Sequence, residues 1–270
     1  MKKLLALVLA LSMIFCLCAC GSKPKEDRLE TIKKQGYISL ATEPYFAPYE
    51  FIDPSKSGDE QYVGADIELA KVIADKIGVE LKIVPLDFTA VLAGVTEGKY
   101  DMAISAIAYS PAREDAMDLS EGYKTDKSEY GILVREEDKD KYQTIDDIKG
   151  AVVITQSGSV QEAIYKDCVG ESKEFKLTSQ MTDGYLAVAE NKADVCIVSC
   201  TSAQLYADAN GGLYIPELRF DTDPRMSSTV VGTPKGSDSL MAVINEAIAE
   251  CLADGRLAGW FEEYADYAKS

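Results

Sequence analysis

The sequence predicts an α/β chain folded into two lobes, on three observations. Short apolar segments alternate with segments whose apolar residues recur at helical spacing, the βαβ rhythm of a sheet with parallel strands. A polar stretch at residues 123–129 interrupts that rhythm, which starts afresh at Tyr130. After residues 220–228 a last strand-like segment and two amphipathic helices close the first lobe, so the chain crosses between lobes twice. Two connections favour closure about a hinge over free tumbling.

Residues 1–19 read as a secretory signal. Met1-Lys2-Lys3 is a basic start, residues 4–17 are an apolar run too short to span a bilayer comfortably, and small residues end it. Leu17-Cys18-Ala19-Cys20 resembles a bacterial lipobox, which implies cleavage before Cys20 and diacylation of its sulfur; ordinary secretion with Cys20 free is the alternative. Residues 20–36 then form a polar tether and a short helix at 29–34, ended by Gly36. The first strand, residues 37–42, delivers a loop from Glu43 to Phe51. Pro44 and Pro48 favour extended backbone there, presenting aromatic side chains at the strand's carboxyl end. After a polar turn, Ile67, Ala70, Ile73, Ala74 and Ile77 share one face of a helix over 65–77, stopped by Gly78. Asp66 and Glu68 are two apart and do not face each other, so they read as favourable charge near a helix start. A strand at 80–86 and a helix at 89–97 follow.

Residues 101–108 are the strand around which the first lobe is organised. Met102 to Ala108 is mostly apolar, as in a strand buried on both faces, and Ser110-Pro111 stops it. Arg113 then lies in a loop at the carboxyl end, where open α/β sheets hold ligands, placed to meet a small anion. A surface arginine paired with Glu114 or Asp115 is the competing reading. The second lobe repeats the alternation: helix 144–148, strand 151–155, helix 160–169, strand 175–177, helix 183–191, strand 194–199 and helix 202–209. A strand at 228–233 and helices at 240–252 and 257–264, with Trp260 and Phe261 packed inward, complete the chain. Ser157-Gly158-Ser159 turns a buried strand into a helix whose first N–H groups attract anions, although the same residues simply cap helices.

Glu97-Gly98-Lys99-Tyr100-Asp101-Met102 with Arg113 beyond it, preceded by Gly64-Ala65-Asp66-Ile67-Glu68-Leu69-Ala70, resembles two ordered signatures of one family. These are the extracellular solute-binding proteins of ABC importers, family 3, which bind polar amino acids; the likeness runs from about Tyr37 to the C-terminus. The resemblance implies the type II periplasmic-binding-protein-like fold, each lobe a mixed sheet flanked by helices. Lobe 1 would comprise 37–125 plus 227–270, and lobe 2 126–226. It implies that Arg113 grips the ligand carboxylate with help from Ser159 and Val160, and that Ser105, Ala106 and Ala108 line the site. Glu43 would supply an acid and Phe46 an aromatic wall. Two positions depart from the family pattern: Ser199 replaces the usual aspartate, and Ala108 stands where serine or threonine is common. Either Glu43 takes over the ligand's ammonium, or the ligand is not an ordinary α-amino acid. Tyr45, Phe46 and Tyr49 leave cationic, aromatic and amine-bearing ligands open. The implied partners are a polar amino acid or amine-bearing analogue, a membrane permease, and the outer face of the cell membrane through lipid on Cys20. A monomer without cofactor or metal is expected.

Composition narrows the rivals. The net charge of −17, made more negative by two once the leader's lysines leave, repels phosphate backbones and disfavours nucleic acid. The chain has no histidine, which excludes the serine triad and the HExxH zinc site in their common forms. Cys196 and Cys200 flank a strand and lie roughly 13 Å apart, too far to bridge. Cys168, Cys196, Cys200 and Cys251 read as buried free thiols, with a bridge from Cys168 to Cys196 or Cys200 left open. Two other classes stay in view: a sensor module for a membrane receptor, and an enzyme using a cleft glutamate such as Glu43 as base, since some dehydratases and peptidoglycan-cleaving proteins share this scaffold.

Overall fold

The computed structural model describes residues 27–124 and 129–268. The expected signal segment, Cys20 and the middle of the first crossing therefore lie outside the described residues. Asp27 caps helix α1 (Arg28–Gln35), accepting the Glu30 N–H at 3.1 Å, and Gly36 ends it in the left-handed region at φ 79°. Strand β1 (Tyr37–Thr42) follows. The expected aromatic loop is instead a small antiparallel sheet of β2 (Tyr45–Phe46), β3 (Glu50–Ile52) and β4 (Tyr62–Val63). Strands this short, interrupted by proline, carry no period to read.

Helix α2 (Ala65–Ile77) ends at Gly78, φ 80°, with Ile67, Ala70, Ile73 and Ala74 buried as its spacing requires. Strand β5 (Glu80–Pro85) and helix α3 (Phe88–Thr96) lead to β6, which is only Met102–Ala103. The central strand is thus far shorter than expected. Ala106 takes φ 46°, and its N–H goes to Asp66 Oδ2 at 2.8 Å instead of a neighbouring strand. The apolar run reflects burial without a ladder: Ile104 and Ile107 are wholly buried. Nor is Arg113 in a loop. Ser110 caps a short helix α4 (Pro111–Ala116), its hydroxyl accepting from the Arg113 N–H at 3.3 Å, and Pro111 occupies the first turn, where a missing N–H costs nothing. Strand β7 (Met117–Leu119) ends this part.

The second half runs β8 (Tyr130–Arg135), α5 (Ile145–Ile148), β9 (Val152–Gln156), α6 (Val160–Ile164), β10 (Glu174–Thr178), α7 (Met181–Ala189), β11 (Val195–Ser199), α8 (Cys200–Asn210) and β12 (Leu213–Tyr214). Thr144 and Asp147 form a reciprocal cap at the start of α5. The expected last strand is displaced to β13 (Gly232–Pro234), while Thr229 makes isolated bridges to Ala108 and Lys124. Helices α9 (Asp238–Ala253) and α10 (Arg256–Tyr267) follow.

The strands form two five-stranded mixed sheets. One runs β5-β1-β6-β13-β7, with β5, β1 and β6 parallel and β13 antiparallel to both neighbours. The other runs β10-β9-β11-β8-β12, with β10, β9 and β11 parallel and β8 antiparallel. The late strand β13 lies inside the first sheet, so the chain returns to it. Ile38, Leu40, Ile67, Ile73 and Met102 pack with Ile244 and Ile248 of α9, and Trp260 and Phe261 cover that core. Ile132, Val134, Val153, Val195 and Ile197 form the core of the second. All four described cysteines are free; Cys196 and Cys251 are buried, whereas Cys168 and Cys200 are only half-buried, against the expectation for all four.

Candidate functional site

The ends of strands from both sheets meet at one cavity, with an empty volume of about 550 Å³ including its mouth. Glu43 follows β1, Ser105, Ala106 and Ala108 follow β6, Gln156 ends β9 and Ser199 ends β11. All nine positions singled out in the sequence line it: these five besides Gln156, together with Phe46, Arg113, Ser159 and Val160. Strand ends are natural ligand sites because loops there can vary while the sheet stays rigid.

Arg113 is 8% exposed. One guanidinium nitrogen donates to the Ala108 carbonyl, and the other crosses to the Gly158 carbonyl at 3.0 Å. The group also packs over the Phe88 ring, 5.4 Å from its centroid. A guanidinium carries five N–H donors, so these bonds leave most of them for an anion. Burial pushes Arg113 down to about 10, still charged at neutral pH. The competing surface pairing is not adopted: Glu114 accepts from the Tyr109 hydroxyl and Asp115 faces solvent.

The Ser157–Ser159 turn divides its polar groups. The Ser159 hydroxyl accepts the Glu162 N–H at 3.1 Å and donates to the Gln156 carbonyl at 2.6 Å, the ordinary capping role. The Gly158 N–H goes to Glu162 at 2.6 Å, so Gly158 offers the cleft its carbonyl and not a donor. Donors for an anion begin one step later, at Val160 and Gln161, whose first-turn N–H groups have no partner within a helix.

Glu43 is 3% exposed, and Gln156 Nε2 lies 2.9 and 2.8 Å from its two carboxylate oxygens. Burial pushes Glu43 up to about 8, the Gln156 contact opposes the rise, and Asp87 and Asp183 add to it. Ser199 and Ala108 contribute a hydroxyl and a methyl, hence no charge. Of the aromatic residues around Pro48, Phe46 and Tyr49 line the cavity with rings stacked at 5.8 Å. Tyr45 is 42% exposed and Phe51 meets Tyr264 and Tyr267 outside the cavity. The cavity therefore offers a permanent cation, an acid that an incoming cation can ionise, and aromatic walls. That set can hold a small molecule bearing both a carboxylate and a cation.

Asp66 sits in the first turn of α2, as the sequence indicates, and is wholly buried behind Ala106. Glu68 points elsewhere, to Lys71 at 2.8 Å and the Tyr264 hydroxyl at 3.0 Å. Glu50, Phe88, Tyr130, Gln156, Gln161 and Thr229 also line the cavity and were not singled out in the sequence. Gln156 had a readable signal, since it ends a strand immediately before the Ser-Gly-Ser turn. Thr229 had none, because only the returning chain brings it there.

Residues 38–267 match the bacterial extracellular solute-binding proteins, family 3. The arginine-binding extracellular protein ArtP of Bacillus subtilis is 29% identical over 262 residues, covering 95% of each chain. The crystal structure of the amino acid ABC transporter substrate-binding protein AbpA from Streptococcus pneumoniae, bound to L-arginine, superposes with a TM-score of 0.82. It is 31% identical and covers 89% of this chain and 99% of that one. A membrane-bound lytic murein transglycosylase F of Aeromonas hydrophila is 27% identical, but the chain spans only 52% of its length.

Proposed function

The chain belongs to the bacterial extracellular solute-binding proteins, family 3, with the type II periplasmic-binding fold, and from that premise we propose that it captures a polar amino acid between two lobes for a membrane importer. Lobe 1 comprises 37–125 and 227–270, and lobe 2 126–226. The observation that carries the reading is Arg113, a buried cation, and Glu43, an acid that an incoming cation can ionise, facing one cavity. Arg113, with the N–H groups around Ser159 and Val160, takes the ligand's carboxylate. Ser105, Ala106, Ala108, Phe46 and Ser199 complete the walls, and Glu43 takes a cation. An acid at that place favours amino acids with a basic side chain, in keeping with relatives that bind arginine. Arg113 left unpaired in a closed cleft costs about 3–5 kcal/mol, so a ligand lacking a carboxylate is disfavoured.

The reading includes a lipid on Cys20 that tethers a monomer to the outer face of the cell membrane beside a permease. Binding without catalysis is supported by the family match and by the arginine-binding relative. The test is a thermal-shift and calorimetric panel of L-arginine, L-lysine, L-ornithine, L-glutamine and L-cystine. Ligand at a hundredfold over its Kd adds about 2.7 kcal/mol of stability. A flat panel overturns the reading, and mass spectrometry showing a consumed ligand replaces it with catalysis.

A further inference from the structure

Two more carboxyls meet at the cavity wall, Glu50 in its lining and Asp66 behind it. Glu50 on β3 is 1% exposed, Asp66 is wholly buried, and the two are within hydrogen-bond reach of each other. Asp66 accepts the Ala106 N–H at 2.8 Å on one oxygen and the Tyr123 hydroxyl at 2.8 Å on the other. Glu50 Oε1 accepts the Ser105 hydroxyl at 3.2 Å. Taken as two anions, the pair leaves Glu50 Oε2 buried with no donor. A single proton on that oxygen removes one charge and supplies the missing bond.

Apart from the Tyr123 hydroxyl, the pair's side-chain partners are Ser105 and Ala106 of the ligand-facing turn. Ser105 both donates to Glu50 and accepts the Glu43 N–H at 3.0 Å. Ala106, held at φ 46° where few non-glycine residues rest, is fixed there by the carboxylate of Asp66. We propose that Glu50 and Asp66 share one proton, Glu50 donating to Asp66, and that this acid pair is the positioning device for the Glu43, Ser105 and Ala106 wall of the cavity. Its positioning half rests on the amino-acid reading above; the shared proton does not.

Burial first, and the facing Asp66 charge second, hold Glu50 well above the usual carboxylate range; burial raises Asp66 also. The groups facing the pair are Glu43 beyond β1, Tyr49 beside β3, Tyr123 ahead of the first crossing, and Lys124, which favours the Asp66 charge. Both phenols are themselves pushed upward by burial, so neither titrates near neutrality.

The test uses Glu50→Gln and Glu50→Ala in the full chain. Glutamine keeps a donor for Asp66 and an acceptor for Ser105, so E50Q should bind L-arginine roughly tenfold or more tightly than E50A. A proton kept only in the folded state costs stability as pH rises. From about pH 5 to 8 the wild-type folding constant, measured by urea denaturation, should therefore fall relative to that of E50Q by up to about tenfold per pH unit. The proposal is overturned if E50Q tracks wild type across that range, or binds L-arginine as poorly as E50A. Should wild type not bind L-arginine, the amino-acid reading fails while the denaturation series still decides the shared proton. Should E50A not fold, Ser105→Ala, which cuts the bond linking Glu50 to the Glu43 N–H, takes its place, and wild-type affinity there overturns the positioning half.

Discussion

Capture of a cationic ligand should expel a proton from Glu43. Burial in the empty cleft holds this carboxyl at about 8 against an ordinary 4.5, so at pH 7 roughly nine molecules in ten carry the proton. The difference of about 3.5 units corresponds to about 5 kcal/mol favouring the neutral form, as an order of magnitude. A guanidinium or ammonium at about 4 Å returns roughly 4 kcal/mol at an effective dielectric of about 20. That restores a carboxylate of nearly ordinary acidity, and binding at pH 7 then releases about 0.9 proton. Titration calorimetry with L-arginine at pH 7, in phosphate and in Tris, measures this directly, because the released proton protonates buffers of different ionisation enthalpy. At pH 7 Glu43→Gln should lack the buffer dependence. Tight binding at pH 7 with an enthalpy independent of buffer would refute the reasoning.

The same carboxyl ties the empty cleft to pH. A raised acid stabilises the closed form fully below about 4.5 and loses that contribution as pH climbs to about 8, so the ligand-free lobes should part over this window. Small-angle scattering should show the radius of gyration growing from pH 6 to 9 without ligand and staying constant with it. Gly64→Ala should destabilise by more than about 3 kcal/mol in urea, because φ is 129° and a Cβ would meet the Tyr49 carbonyl oxygen at 2.1 Å. Gly36→Ala, with open space around it and φ 79°, should cost only about 1 kcal/mol.

Helices α1 and α2 were legible because an apolar period ends at a glycine that adopts left-handed backbone, Gly36 and Gly78. The gathering of nine positions at one cavity was legible because the family resemblance implied them; strand ends and helix starts alone pointed only to Arg113, the aromatic loop and the Ser-Gly-Ser turn. The central strand was over-read: nothing in an all-apolar run marks Ala106 as the residue that leaves the ladder. Ser110-Pro111 carried two meanings, the end of a strand and the start of a helix, and only the second places Arg113 on α4. The burial of Asp66 was not legible because its partner Glu50 lies on a separate strand and its donors come from Ala106 and Tyr123, contacts that exist only after folding. Asp101 of the signature serves the scaffold, accepting from Arg28 at 2.8 Å and from the Ser39 N–H at 2.9 Å.

The central claim is that Arg113 holds the ligand's carboxylate inside a closing cleft. Calorimetric titration of Arg113→Ala with L-arginine, beside wild type and with folding checked by circular dichroism, tests it most directly. Leaving that carboxylate buried without its cation should cost about 3 kcal/mol or more, a loss of over a hundredfold in affinity. A folded Arg113→Ala protein that binds L-arginine nearly as tightly as wild type would contradict the account.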